Sequence, residues 1–354
     1  MTVLRVLIAD DSSSVRAVVR RFLARAADVE VVGEAANGAE AVDLALRLRP
    51  DVLLLDLEMP VLDGLGVLAR LRGAAALPTV ILTARTGRPE QRRAFEALRA
   101  GAIEVLAKPE DPEHWRELAE TLPRTLRAAA VPRGAPPARP SRPSRPAASG
   151  AAGASVWGAV SGEPLEWIGI GASTGGPAVL RELLAALPPI APARILVVQH
   201  ISPGFEEGLA EWLAGALGLD VRVARGGEEP PGGSVRIAPP GAHLRLGAEH
   251  WLELDAATPP RRGHRPSADE LLASLARHAP RRSAGVLLSG MGTDGAAGLL
   301  ELRSAGGFTL AQDEATSAVW GMPRAALERG AVDLVHPPAA LAAELARRLA
   351  AGRR

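Results

Sequence analysis

Ile168-Gly169-Ile170-Gly171-Ala172-Ser173-Thr174-Gly175-Gly176-Pro177 runs an apolar stretch into a glycine-rich turn that carries one serine, just before a segment with helical patterning. A short apolar run with no polar alternation fits a strand buried on both faces. A strand that feeds a helix through a tight turn is the repeating unit of a parallel α/β sheet. Gly171 to Gly175 also fits G-x-S-x-G, in which small neighbours let the backbone turn sharply and hold the serine Oγ clear of the sheet, near backbone N–H groups that can meet an oxyanion. The stretch therefore predicts both a fold and a nucleophile.

Working outward, the same alternation continues on both sides. Toward the carboxyl end, strands are expected at Trp167–Gly171, Arg194–His200, Val221–Ala224, Val235–Ala238 and Gly285–Ser289, with helices such as Ala178–Ala186 and Phe205–Leu217 between them. Toward the amino end, five further runs alternate with helix-length segments: Leu4–Ala9, Val29–Gly33, Val52–Asp56, Val80–Thr83 and Ile103–Ala107. Between Pro123 and Pro164 the composition turns to Pro, Ala, Arg, Gly and Ser, which cannot bury enough apolar surface to fold. The expected architecture is α/β, with two doubly wound parallel-sheet domains: a five-stranded one over residues 1–122 and a larger Rossmann-like one over 164–354. A disordered linker over 123–163 joins them, and its arginines, Arg124, Arg127, Arg133, Arg139, Arg142 and Arg145, read as a solvated basic tether.

Composition narrows the function classes. The chain has 354 residues, enough for two or three domains, and 47% of them are hydrophobic, ample for packed cores. Lys plus Arg is 41 against 40 for Asp plus Glu, so a net charge of +1 gives no global pull toward nucleic acid or anionic lipid. Cysteine is absent, which removes disulfides, thiolate metal sites and cysteine nucleophiles. Acids at positions 10 and 11 interrupt any signal-peptide core, and no apolar run approaches the roughly 18 residues of a membrane span, so a cytoplasmic, non-inserted protein is expected.

Asp10 and Asp11 end the first expected strand and Asp56 the third. The carboxyl ends of neighbouring parallel strands share one edge of the sheet, where ligand sites form. Three carboxylates meeting there repel one another unless a hard divalent cation sits among them, and Mg²⁺ suits such oxygen ligands. Thr83 and Lys108 end the fourth and fifth strands, where a hydroxyl can bond a phosphoryl oxygen held on Asp56 and an ammonium can neutralise it. Together with Asp56-Leu-Glu-Met-Pro60, Asp63-Gly64 and Lys108-Pro109, this constellation resembles the receiver domain of response regulators. The family often carries an aromatic three residues before the lysine; here that residue is Val105.

A serine needs a histidine to take its proton, and the histidine needs a third group to fix its tautomer. Of seven histidines, His200 ends the buried-strand run Ile195–Gln199 and so reaches the same edge as Ser173. His114, His250, His278 and His336 read as structural or surface residues; His243 and His264 lie in expected loops and stand as possible substrate contacts. Val286-Leu-Leu-Ser-Gly290-Met-Gly292-Thr-Asp294-Gly295 is a second apolar run into a glycine-rich turn. Alone, Asp294 reads as a cap on a helix over Ala296–Ser304; beside a nucleophile and a base it reads as the third member of a triad.

The order Ser173, His200, Asp294 differs from Ser-Asp-His in α/β-hydrolases. With Val198-Gln-His-Ile201, Ile237-Ala-Pro-Pro240, Arg265-Pro-Ser-Ala-Asp269, Ser289–Gly295, Ala311-Gln-Asp-Glu314 and Gly321-Met-Pro323, the chain is similar to the CheB family, the protein-glutamate methylesterases of bacterial chemotaxis. The resemblance covers nearly everything but the linker. It implies a triad of Ser173, His200 and Asp294, a phosphoacceptor at Asp56 and Mg²⁺ in the receiver, with no cofactor in the esterase domain. It further implies chemoreceptor glutamate methyl esters as substrate, deamidation of receptor glutamines, and a chemotaxis histidine kinase as phosphodonor. Backbone N–H groups at Thr174 and at the Met291 turn are the expected oxyanion donors. A monomer that binds no nucleic acid is expected.

Two other classes compete. Gly169, Gly171 and Gly175 mimic a dinucleotide-binding turn, but the spacing is not G-x-G-x-x-G and no P-loop lysine follows. A receiver joined to a DNA-binding module would need a compact basic recognition helix, and the second half shows none.

Overall fold

The computed structural model describes residues 3–72, 77–84, 87–109, 111–130, 164–188 and 193–351. The ten expected strands all form, the central ones, Leu4–Ala9, Val52–Leu55, Trp167–Ala172, Arg194–Gln199 and Ser283–Leu287, because they are apolar at most positions and almost wholly buried. In the amino-terminal half these are β1 (Leu4–Ala9), β2 (Val29–Ala35), β3 (Val52–Leu55), β4 (Thr79–Thr83) and β5 (Glu104–Ala107). Helices α1 (Ser13–Leu23), α2 (Gly38–Leu48), α3 (Gly64–Leu71), α4 (Arg88–Ala100) and α5 (Pro112–Ala130) connect and follow them. All pairings are parallel in the order β2-β1-β3-β4-β5, which sets the ends of β1 and β3 side by side at the centre. Side chains start the helices where the sequence offers a cap: Ser12, Asn37 and Asp63 each accept from a first-turn N–H.

The sheet domain extends past the boundary that composition suggests. Residues 123–130, expected as the start of the linker, continue α5 through Pro123, because Leu118, Leu122, Leu126 and Ala129 recur at helical spacing and are buried against the sheet. That apolar stripe outweighs the one hydrogen bond a proline removes. Arg127 is accordingly a partner of Asp28, through Nε at 2.7 Å and Nη2 at 2.5 Å, rather than a tether charge. Residues 131–163 of the expected linker lie outside the described residues.

The carboxyl-terminal half builds a second sheet from β6 (Trp167–Ala172), β7 (Arg194–Gln199), β8 (Val221–Val223) and β9 (Val235–Ile237), with helices α6 (Gly176–Ala186) and α7 (Glu206–Leu217). An antiparallel hairpin, β10 (His243–Leu246) and β11 (Leu252–Asp255), stands apart from it. Helix α8 (Ala268–His278), β12 (Ser283–Leu287), α9 (Ala296–Ser304), β13 (Phe308–Gln312), α10 (Met322–Glu328), β14 (Leu334–His336) and α11 (Pro338–Ala351) complete the chain. The seven strands are parallel in the order β14-β13-β12-β6-β7-β9-β8. The chain works outward from β6 on one side, then returns to β6's other flank with β12. The crevice at the carboxyl end of β6 is thus the switch point where α/β sheets place ligands.

The two halves meet through α4, which packs on α6 and α7. Phe95 of α4, fully buried, stacks on Trp212 of α7 at 5.6 Å between centroids and meets Phe205 edge-on at 6.4 Å. Gln91 Nε2 donates to the Gly204 carbonyl at 2.8 Å, and the Ala107 N–H of β5 donates to Ser202 Oγ at 3.3 Å. One apolar core runs through this junction.

Candidate active site

Ala172 at the end of β6 pairs with Gln199 at the end of β7, so Ser173 and His200 leave neighbouring strands in register. The His200 N–H donates to the Ala172 carbonyl at 2.9 Å, and the Gln199 side-chain amide bridges the Ser173 and His200 carbonyls at 2.8 and 2.9 Å. On the other flank the Ser173 N–H donates to the Ser289 carbonyl beyond β12 at 3.0 Å. Two glycines are obligatory here. Gly175 has φ of +74°, and a Cβ on Gly290 would come within 2.8 Å of the Ser173 Cβ.

Asp294, reached through the turn after β12, is 1% exposed and accepts from His200 Nε2 at 2.9 Å. The opposite ring nitrogen, Nδ1, is buried with no hydrogen-bond partner in the chain. Burial works against the Asp294 charge, but the His200 contact, the Ser267 hydroxyl and the Ala268 N–H outweigh it and hold the carboxyl down at about 2. Ser267 Oγ donates to Oδ1 at 2.6 Å and the Ala268 N–H to Oδ2 at 2.7 Å, both at the start of α8. The carboxylate thus caps α8. The capping role at α9 that Asp294 could have had falls to Asp269, whose Oδ1 accepts from Ala297 and Gly298 N–H at 2.9 and 2.8 Å.

The histidines outside this set divide clearly. His264 stacks flat on His200, with centroids 3.9 Å apart and planes 5° apart; burial, then the nearby His200 charge, push it down to about 4, so it is neutral at pH 7. His243, expected as a loop residue and possible substrate contact, is instead fully buried at the start of β10, where its Nε2 meets the Pro259 carbonyl at 3.2 Å and its ring is shut off from any substrate. A cavity of about 190 Å³ opens beside His200 and His264, bounded by Ile201, Pro240, Gly241 and Arg265. Among the described residues the backbone N–H groups of Thr174 and Met291 have no hydrogen-bond partner in the chain. Ser267 and Gln199 escaped the sequence reading as site residues, although Ser267 followed three residues later by Glu270, before an apolar run, has the spacing of a capping box.

At the other sheet edge Asp10, Asp11 and Asp56 bring carboxylate oxygens within 4.8 Å of one another. Lys108 Nζ contacts Asp10 at 2.8 Å and Asp56 at 2.5 Å, and Thr83 ends β4 alongside. Burial raises the Asp56 carboxyl despite the ammonium beside it, whereas the two carboxylates raise Lys108 against the opposing effect of burial. Asp56 Oδ1 is buried without a hydrogen-bond partner. An all-oxygen donor set with one orphaned buried oxygen fits a hard divalent cation.

Profiles of known families match both halves: one described as CheB methylesterase over residues 168–345, and one described as response regulator receiver domain over residues 6–120. A relative from Anaeromyxobacter dehalogenans, named protein-glutamate methylesterase/protein-glutamine glutaminase 2, is 45% identical over 94% of each chain. A relative from Myxococcus xanthus, named protein-glutamate methylesterase/protein-glutamine glutaminase 4, is 42% identical over 90% of each. The crystal structure of the Thermotoga maritima CheB methylesterase catalytic domain is 36% identical, covers 52% of this chain and 98% of its own, and superposes with a TM-score of 0.50.

Proposed function

The chain belongs to the CheB methylesterase family and carries the family's receiver domain, and from that premise we propose that Ser173, His200 and Asp294 carry out its esterase chemistry under the control of Asp56. The protein is a phosphorylation-regulated hydrolase of glutamate methyl esters, with glutaminase activity, in chemotaxis adaptation. The observation that carries the residue assignment is the His200 pair: Nε2 on a buried carboxylate, Nδ1 free, one register step from Ser173.

In this reading Nδ1 takes the Ser173 proton as Oγ attacks the side-chain ester carbonyl of a receptor glutamate. Asp294 holds the ring's orientation and stabilises the imidazolium, which stays charged because the carboxylate does not accept its proton. The N–H groups of Thr174 and Met291 receive the oxyanion. His200 returns its proton to the departing methoxide, giving methanol and an acyl-serine. A water deprotonated by the same nitrogen then frees the glutamate carboxylate and Ser173. With a glutamine substrate the leaving group is ammonia. His264, uncharged at pH 7, gives the imidazolium a flat partner without competing for the proton.

In the receiver, Asp10, Asp11 and Asp56 would hold Mg²⁺, which supplies charge neutralisation for phosphoryl transfer. Asp56 accepts the phosphoryl group from the partner kinase or a small phosphodonor, with the Thr83 hydroxyl and Lys108 ammonium on its oxygens. Since α4 packs on α6, the helix that follows the serine turn, phosphorylation raises activity by releasing that cover. A fluorophosphonate probe tests the nucleophile: labelling of Ser173 that is lost on Ser173→Ala supports the assignment. Labelling at another residue, or full turnover by the alanine variant, overturns it.

A further inference from the structure

Asp269 is a fully buried acid that the catalytic scheme leaves unused. Its side chain divides between two segments of chain. Oδ1 accepts from the Ala297 and Gly298 N–H groups that open α9, whereas Oδ2 lies 3.2 Å from Arg262 Nε and 3.5 Å from Arg261 Nε. Those two arginines sit in a closed turn. The Arg261 N–H donates to the His264 carbonyl at 3.0 Å and the His264 N–H donates to the Arg261 carbonyl at 2.9 Å, with Arg262 and Gly263 as the central pair. Both central residues have positive φ, +53° and +84°. A two-residue turn with that backbone ordinarily takes Asn-Gly or Gly-Gly, because left-handed geometry crowds the Cβ of a long side chain. The side chain of Arg262 explains the exception: Nε is on Asp269, and Nη1 reaches Thr293 Oγ1, one residue before Asp294, at 3.4 Å. Backbone strain of this kind persists only where surrounding contacts over-determine it, and it collects at functional sites.

We propose that Asp269 is a positioning residue for the catalytic base: by gripping Arg261 and Arg262 it holds the turn whose last residue, His264, lays its ring on His200. The inference rests on the assignment of His200 as the base that serves Ser173, and it names what keeps the covering ring in plane. The route is short. Asp269 Oδ2 meets Arg262, Arg262 lies inside the turn that Arg261 and His264 close, and the His264 ring sits 3.9 Å from that of His200 with the planes 5° apart. The same side chain also ties this turn to the segment that delivers the acid, since α9 starts at Ala296, directly after Asp294 and Gly295. The Asp269 N–H donates to Asp294 Oδ1 at 3.2 Å, a backbone bond that survives substitution of the side chain. Reacting groups must be held to within roughly 0.5 Å, and charge-assisted bonds from a buried acid supply that kind of support.

Asp269→Asn separates the two tasks of the side chain. Its amide oxygen can still accept from Ala297 and Gly298, so the α9 cap stays, but its NH2 meets the guanidinium groups as donor against donor and the grip on the turn is lost. The full chain, treated with acetyl phosphate and Mg²⁺ so that the receiver does not limit the rate, should hydrolyse p-nitrophenyl acetate with kcat ~2–10-fold below the wild type and KM little changed. Two further readouts would not move for a purely structural acid. His264, pushed down to about 4 by burial and then by the His200 charge, should titrate nearer its ordinary 6.5 by NMR once the turn is released, its signal being the one missing from His264→Ala. The other charges that act on it, Asp294 and Arg124, are left in place. Added to His264→Ala, the Asp269→Asn change should cost no further turnover, because the ring it positions is gone.

Wild-type turnover in either single variant, an unmoved His264 titration in Asp269→Asn, or multiplicative losses in the double variant overturns the proposal. If Asp269→Asn fails to fold by circular dichroism, Arg261→Gln/Arg262→Gln, which leaves the α9 cap untouched, decides by the same readouts. Failure of the base assignment looks different and takes the positioning role with it: treated wild type would then neither hydrolyse the ester nor label at Ser173.

Discussion

At the scale of single residues, the site concentrates its chemistry in groups that cannot act singly. Ser173→Ala removes one oxygen from a half-buried turn and should leave the fold intact while ester hydrolysis falls by ~10³-fold or more, read by methanol release and circular dichroism together. Adding Asp294→Asn to that variant should cost little further, because an orienting acid has nothing left to orient; multiplicative losses would mean that Asp294 serves only as the α8 cap. His264 offers a finer probe. His264→Phe retains a flat ring over His200 and should stay near wild-type turnover, whereas His264→Ala should lose ~2–10-fold in kcat with KM little changed. Asp294 itself titrates far from neutrality. Its depressed value means that its stabilisation is complete above about pH 4 and is lost as pH falls toward about 2, so acid unfolding in that window should be blunted in Asp294→Asn.

At the scale of elements, the acid is held by the start of a helix that belongs to a different segment of chain. Ser267→Ala deletes the 2.6 Å bond to Asp294 and should cost about 1–3 kcal/mol in denaturant unfolding together with a drop in kcat; an effect on stability alone would separate the helix cap from catalysis. The elements carrying the triad were legible because β6, β7 and β12 are buried parallel strands, and such strands read as unbroken apolar runs. The hairpin was not. His243-Leu-Arg-Leu246 and Leu252-Glu-Leu-Asp255 alternate apolar with polar and lie outside the main sheet, and β14 is only three residues long. The end of helix α5 is hidden in the sequence because Pro123 and the Ala- and Arg-rich composition after it mask the buried stripe that continues to Ala129. The acid's hydrogen-bond partners and the stack on His200 arise from the 261–268 loop folding back over the sheet edge, a long-range arrangement that no local pattern encodes.

At the scale of the whole molecule, the receiver and the esterase share an interface whose largest anchor is Phe95 between Trp212 and Phe205. Acetyl phosphate with Mg²⁺ should raise the rate of the full chain but not of Asp56→Asn, and a chain beginning at residue 164 should run at or above the phosphorylated rate. If that shorter chain is no faster than untreated full-length protein, the receiver stimulates or targets the enzyme and does not restrain it. The strand register carries a thermal corollary. Ser173 and His200 are spaced by backbone ladder bonds between β6 and β7, while the receiver is held by the packing of α4 around Phe95 and by a few hydrogen bonds. Gentle heating should therefore free the esterase before it disorders the nucleophile: untreated protein should show a burst of activity steeper than its treated counterpart, and then lose everything in the one step that melts the central strands.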